Sequence, residues 1–172
     1  MKNIVLIGMP GAGKSTIGVL LAKSLLCSFT DTDLIIQNTC RKSLCGIIEE
    51  KGTDGFLQVE NDIICGCELE NCVIATGGSA VYGKEAMEKL KKNGVFVYLK
   101  LPLSEIEKRL ADIKTRGVAM KNGSTVAQLF EERAPLYERY ADITLDCTGL
   151  TPEQCVDSIV GAIHESPAVK AI

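Results

Sequence analysis

Short apolar runs alternate along this chain with longer stretches in which apolar positions recur every three or four residues. Asn3–Ile7, Ser28–Asp31, Val73–Thr76, Val95–Lys100 and Ile143–Asp146 have the length of strands. The first, third and fourth are almost unbroken in apolar character, as strands covered on both faces are. Between them, Lys14–Leu25 puts Ile17, Leu20, Leu21 and Leu25 on one helical face. Gly83–Lys92 runs into Asn93-Gly94, a helix stop. Ser104 opens a further helix with Glu107 at capping-box spacing and with Ile106 and Leu110 on one side. Thr125–Tyr140 and Pro152–Ile163 complete the helical set. This alternation predicts an α/β fold in three layers, a five-stranded parallel sheet flanked by helices. Asp112–Ser124 holds two glycines and scattered charge without apolar periodicity, which predicts a mobile lid-like loop. Pro167–Ile172 reads as a frayed tail. With no repeat, low-complexity stretch or linker, residues 1–172 read as one domain.

Charge and composition narrow the partners. A net charge of −3 leaves no basic face for nucleic acid, so any phosphate must be held by a few placed cations and backbone amides. No apolar run reaches the roughly 18 residues of a membrane span, and the expectation is a cytoplasmic monomer acting on small molecules. Eight cysteines are present, but there are no paired C-x-x-C knuckles, and His164 is the only histidine. Reduced thiols used as small core residues are the expectation, rather than a zinc or disulfide framework.

The chemistry begins at Gly8-Met9-Pro10-Gly11-Ala12-Gly13-Lys14-Ser15, which matches G-x-x-x-x-G-K-[ST] between an apolar strand and a helix. Glycines let the backbone curl with its amides inward, so Gly11, Ala12, Gly13, Lys14, Ser15 and Thr16 make an anion nest at a helix N-terminus. Lys14 supplies a charge for the β- and γ-phosphates of ATP, and Ser15 supplies a hydroxyl for Mg²⁺. Nothing of the N-K-x-D type is present to select guanine. A compact P-loop chain with a lid-like insertion fits a nucleoside or metabolite kinase.

Asp31-Thr32-Asp33 closes the second predicted strand, where ligands of open α/β sheets bind. Alternate residues of an extended segment share a side, so one carboxylate can serve Mg²⁺ and the other the acceptor hydroxyls. Asp33, just before Leu34-Ile35-Ile36, also suits a helix cap.

Taken together, the P-loop, Asp31-Thr32-Asp33, Thr76-Gly77-Gly78-Ser79 and Arg133-Ala134-Pro135-Leu136-Tyr137 resemble the shikimate kinase family from about Asn3 to Ile163. The resemblance implies phosphorylation of the 3-hydroxyl of shikimate by ATP on a P-loop kinase fold. A helical substrate-binding segment at about 33–62 and a lid at about 112–124 come with it. It implies Asp31 on the magnesium side, Asp33 on the acceptor hydroxyls, and Gly77, Gly78 and Ser79 along the acceptor pocket. Arg116 matches the lid arginine that closes over the phosphates, Arg133 the arginine on the carboxylate, and Arg109 the arginine stacked on adenine. Lys14, Asp33 and Arg116 are thus the expected catalytic set.

Three positions depart from the family pattern. Leu57, in Phe56-Leu57-Gln58-Val59-Glu60, stands where an F-R-x-x-E segment carries a second arginine for the acceptor. Ser79 stands at a third glycine and puts a hydroxymethyl group at the expected pocket. Arg116-Gly117-Val118 replaces an R-P-L type segment. Arg41, Lys42 or Arg139 are candidates to restore the missing charge. Another small hydroxylated carboxylate as acceptor, or a non-catalytic nucleotide-binding module, are the alternatives these departures leave open.

Overall fold

The structure, a computed structural model, describes residues 2–111, 118–119 and 124–165. Its strands are β1 (Asn3–Ile7), β2 (Ser28–Asp31), β3 (Cys72–Ala75), β4 (Gly94–Lys100) and β5 (Ile143–Asp146). The helices are α1 (Lys14–Leu25), α2 (Thr32–Cys40), α3 (Leu44–Gly66), α4 (Lys84–Lys92), α5 (Leu103–Ala111), α6 (Val126–Tyr140) and α7 (Pro152–Glu165). The sheet runs β2-β3-β1-β4-β5 with every pairing parallel. All five residues of β1 are buried, as its central position and its unbroken apolar character require. At roughly 1.5–3 kcal/mol for each large aliphatic side chain removed from water, this strand anchors the loop that follows it. No described helix is long and apolar enough to cross a membrane.

The predicted elements sit within a residue or so of the observed ones, with two instructive exceptions. The helix begun by Ser104 starts at Leu103, so Ser104 lies inside the first turn and does not cap it. A capping box forms instead at α6, where Thr125 Oγ1 accepts from the Gln128 amide and the Gln128 side chain accepts from the Thr125 amide. The segment 33–62 is covered by α2 and α3 with a break at 41–43, and α3 is broken again at Gly52, whose φ of 71° and ψ of 175° lie outside the helical basin. Most of the expected lid, 112–117 and 120–123, lies outside the described residues, as does the tail 167–172.

Two clusters of buried apolar side chains follow. The larger spans the sheet with α1, α4 and α7, and it includes Cys72, Cys147 and Cys155 as small core residues. The smaller gathers Ile36 from α2, Ile47 and Phe56 from α3, and Ala119, with Leu57 packed against it. It holds α2 and α3 over one end of the sheet, next to the cavity described below.

Candidate active site

β1 ends in the phosphate loop. Gly13 caps α1 in the left-handed region, at φ 95°, a conformation that a side chain would strain. The Ala12 amide donates to the Met9 carbonyl at 3.1 Å and closes the turn. Lys14 is buried, and its Nζ donates to the Gly8 and Met9 carbonyls at 2.7 and 2.9 Å. The ammonium is therefore held against the loop by neutral acceptors, which a phosphate oxygen outcompetes electrostatically.

The end of β2 and the first turn of α2 deliver the acidic pair. Ser15 Oγ donates to Asp31 Oδ2 at 2.6 Å, while Asp31 Oδ1 accepts the Asp33 amide at 3.0 Å. Asp31, not Asp33, caps α2. Asp33 lies in the first helical turn rather than in an extended segment, so the two carboxylates share a side for a different reason than strand alternation. Both line one cavity of about 320 Å³. Lys14, Ser15 and Thr16 of the phosphate loop line it together with Asp33, Gly77, Gly78, Ser79 and Arg133. Val118 and Ala119, described parts of the expected lid, also line it. Arg116 lies outside the described residues.

The Thr76–Ser79 turn is tied on both sides. Thr76 Oγ1 donates to the Leu6 carbonyl at 2.9 Å, and Thr32 Oγ1 accepts the Gly77 amide at 3.0 Å. Sequence reasoning passed over Thr32, whose placement between two aspartates hid its part in holding this turn. A side chain at Gly77 would meet Glu60 Oε1 at 2.4 Å and Asp33 Oδ1 at 2.7 Å. Two carboxylates therefore converge on one face of Gly77.

Glu60 is the residue the sequence did not single out as functional. It follows Phe56 by one helical turn and precedes Ile64 by another, and all three are buried. A carboxylate on an otherwise apolar helical stripe is the signal that could have found it. Its Oε2 accepts from Ser79 Oγ at 2.6 Å, whereas Oε1 has no hydrogen-bond partner among the described residues. Burial pushes its pKa up to about 7; Ser79 and the Arg133 and Lys14 charges pull against this, and the Asp33 charge adds to it. Ser79 thus turns its hydroxyl onto Glu60 instead of leaving it loose in the acceptor space.

Arg133 is turned inward from α6 and is only 1% exposed, so it forms no surface pair with Glu131 or Glu132. Its Nη2 donates to the Ala119 carbonyl at 2.6 Å and its Nε to the Tyr82 hydroxyl at 3.2 Å, with the guanidinium 5.1 Å from the Tyr82 ring centre. Tyr137, one turn further along α6, donates to the Gly78 carbonyl at 2.6 Å. Leu57 packs into the smaller apolar cluster. None of the candidate replacements lines the cavity. Arg41 caps the end of α2, Lys42 pairs with Glu50, and Arg139 is exposed in the last turn of α6.

A second cavity, of about 460 Å³, opens on the other side of the phosphate loop between Gly11, Thr16, Arg109, Leu150 and Pro152. Arg109 Nη1 donates to the Gly11 carbonyl at 3.1 Å, which pins its guanidinium beside this space.

Comparison with known proteins agrees with this layout. The family model described as shikimate kinase matches residues 10–164. A curated shikimate kinase of Persephonella marina is 37% identical over 165 residues, covering 95% of this chain and all of the relative. Threonine synthase-like 1 of Pongo abelii is 34% identical over 94% of this chain, which spans only 22% of that protein. The solved shikimate kinase of Acinetobacter baumannii in complex with shikimate superposes with a TM-score of 0.88 at 28% identity, covering 97% of this chain and 95% of that one.

Proposed function

The chain belongs to the shikimate kinase family, phosphotransferases with an alcohol acceptor and ATP as co-substrate, and we propose that it transfers the γ-phosphoryl group of ATP to the 3-hydroxyl of shikimate. One observation carries this reading: a single cavity is lined both by the phosphate loop and by Asp33 with the buried Arg133.

The geometry supports a role for each residue. The loop amides and Lys14 hold the β- and γ-phosphates, and the adenine lies in the second cavity against Arg109. Ser15 and Asp31 are hard oxygen donors 2.6 Å apart at the mouth of the loop, which suits Mg²⁺, an ion that keeps most of its coordination for water and phosphate. Bound there, Mg²⁺ would neutralise phosphate charge. Arg133 receives the acceptor carboxylate through its planar fork, which Tyr82 and Ala119 keep oriented. Asp33 orients the hydroxyl in line with the γ-phosphorus and takes up its proton as the oxygen–phosphorus bond forms. Arg116, from the lid segment, completes the charge stabilisation.

An ADP-coupled assay on the purified protein tests this. Turnover that depends on shikimate is expected, and none at millimolar shikimate would overturn the reading.

A further inference from the structure

The second cavity carries a pair of groups that phosphoryl transfer does not use. Besides Gly11, Thr16 and Arg109, it is lined by Cys147 and Cys155, both buried and both free thiols. Cys147 directly follows β5, and Cys155 lies in the first turn of α7. The fold holds each in place. The Cys147 amide donates to the Lys100 carbonyl at 2.9 Å, and the Cys155 amide donates to the Thr151 carbonyl at 3.0 Å. Between them, the Leu150 amide closes a turn on the Cys147 carbonyl at 3.2 Å. The two side chains are hydrogen-bonded to each other, so two sulfurs are already assembled on one wall.

Their surroundings narrow what these sulfurs can take. Burial, then the neighbouring Cys155 and Asp146, hold the Cys147 thiol above its ordinary pKa, against the pull of Arg109. Reagents that need a thiolate, such as alkylating agents and peroxides, therefore react slowly here. Among the described residues no third His, Cys, Asp or Glu joins the pair to make a metal-binding group, so coordination of the zinc type is not assembled. The site instead suits a thiophilic centre that takes two sulfurs and leaves no charge behind.

We infer that Cys147 and Cys155 form a dithiol site that captures a trivalent organoarsenical and thereby closes the second cavity to nucleotide. The closure rests on the placement of adenine in that cavity; the capture does not. An arsenic oxide carrying one organic group exchanges its oxygen for both sulfurs. Two arsenic–sulfur bonds form and the arsenic–oxygen bond breaks, while the two thiol protons leave with the oxygen as water. Arsenic stays trivalent, so no oxidant or reductant is needed. The product is uncharged, which suits a wall that also includes Ile17, Leu150 and Pro152. A cavity of about 460 Å³ leaves room for a phenyl ring.

Phenylarsine oxide on the intact protein tests this, read by mass spectrometry. Trypsin cuts after Arg139 and Lys170, so both cysteines fall on one peptide, 140–170. A single phenylarsenic group is expected on it, removable by 2,3-dimercaptopropanol. ADP at about ten times its Kd should slow the capture about tenfold. Cys147→Ser and Cys155→Ser should each weaken it at least about a hundredfold, because the second sulfur no longer acts within the same molecule. The thermal transition shows which variant is folded, and one folded variant suffices. No adduct on 140–170, or an adduct that a folded single variant keeps, overturns the site. An adduct that forms as fast with ADP present overturns the closure. Turnover of shikimate by the untreated protein is read separately. Its absence beside an ADP-protected adduct would sink the proposed function and leave the dithiol site standing.

Discussion

The two ends of the cavity are built in opposite ways. At the donor end, residues 8–16 form one continuous turn whose groups are neighbours in sequence, and Lys14 finds its partners five and six residues back. At the acceptor end, Asp33 comes from α2, Ser79 from the turn after β3 and Arg133 from α6, with Glu60 of α3 bonded behind Ser79. Their partners are often distant: Ser79 binds Glu60 across 19 residues, and Arg133 reaches Tyr82 across 51. A contiguous site needs local geometry and tolerates few substitutions. An assembled site can exchange parts, as Leu57 and Ser79 show, provided that buried charge is still answered.

The largest expected effect breaks the donor end alone. Lys14→Ala should lower kcat about a thousandfold whatever the acceptor, while the fold survives, because the charge it adds to the transferring phosphoryl has no substitute. Steady-state kinetics with circular dichroism checks both parts.

Arg133→Ala should break the acceptor end instead. The loss is expected at about 2–5 kcal/mol in kcat/KM for any carboxylate acceptor, with the affinity for ATP kept. Arg133→Lys should rescue little, since an ammonium cannot reproduce the fork that spans Ala119 and Tyr82. A loss shared equally with ATP binding would erase the distinction between the two ends.

The pH dependence of stability sharpens the comparison through Glu60. Its folded pKa of about 7 lies above the ordinary carboxylate value, so the folded state holds its proton more tightly than the unfolded chain does. The stabilisation is fully present below about pH 4.5 and is lost as pH rises through about 7, by up to about 3 kcal/mol. Denaturant titrations of Glu60→Gln should lack that slope. A mutant profile parallel to the wild type would rule out Glu60 as its source.

Leu57→Arg is the subtler case. An arginine one turn from Glu60 would pair with it, and the shikimate KM should fall by about tenfold, a gain of about 1–2 kcal/mol. Smallest is Thr125→Ala, which removes the capping box at the start of α6. It should cost about 1 kcal/mol of stability and leave the kinetics at both ends alike.

What could be read in advance followed the same division. Gly8–Ser15 identified itself because each residue does its work within a few positions of the others, and the central strands were legible because burial on both faces leaves almost no polar residue in Ile4–Ile7 or Val95–Leu99. The family motifs pointed to Asp33 and Arg133 as well. Boundaries were harder where side chains compete for a role: Asp31 took the helix cap from Asp33, and Thr125 formed the box that the spacing suggested for Ser104. Glu60 stayed hidden because a carboxylate in a helix normally faces water, and only the packing of α3 against the Thr76–Ser79 turn removes it from solvent.

By itself, the sequence determined the parallel α/β architecture and a donor site for ATP phosphates, since hydrophobic periodicity and a glycine-rich turn act over short stretches of chain. Only the tertiary structure decided what faces the acceptor. There, separate elements bring Asp33, Ser79 and Arg133 to one cavity and bury Glu60 behind Ser79, and that burial sets the protonation of its carboxyl.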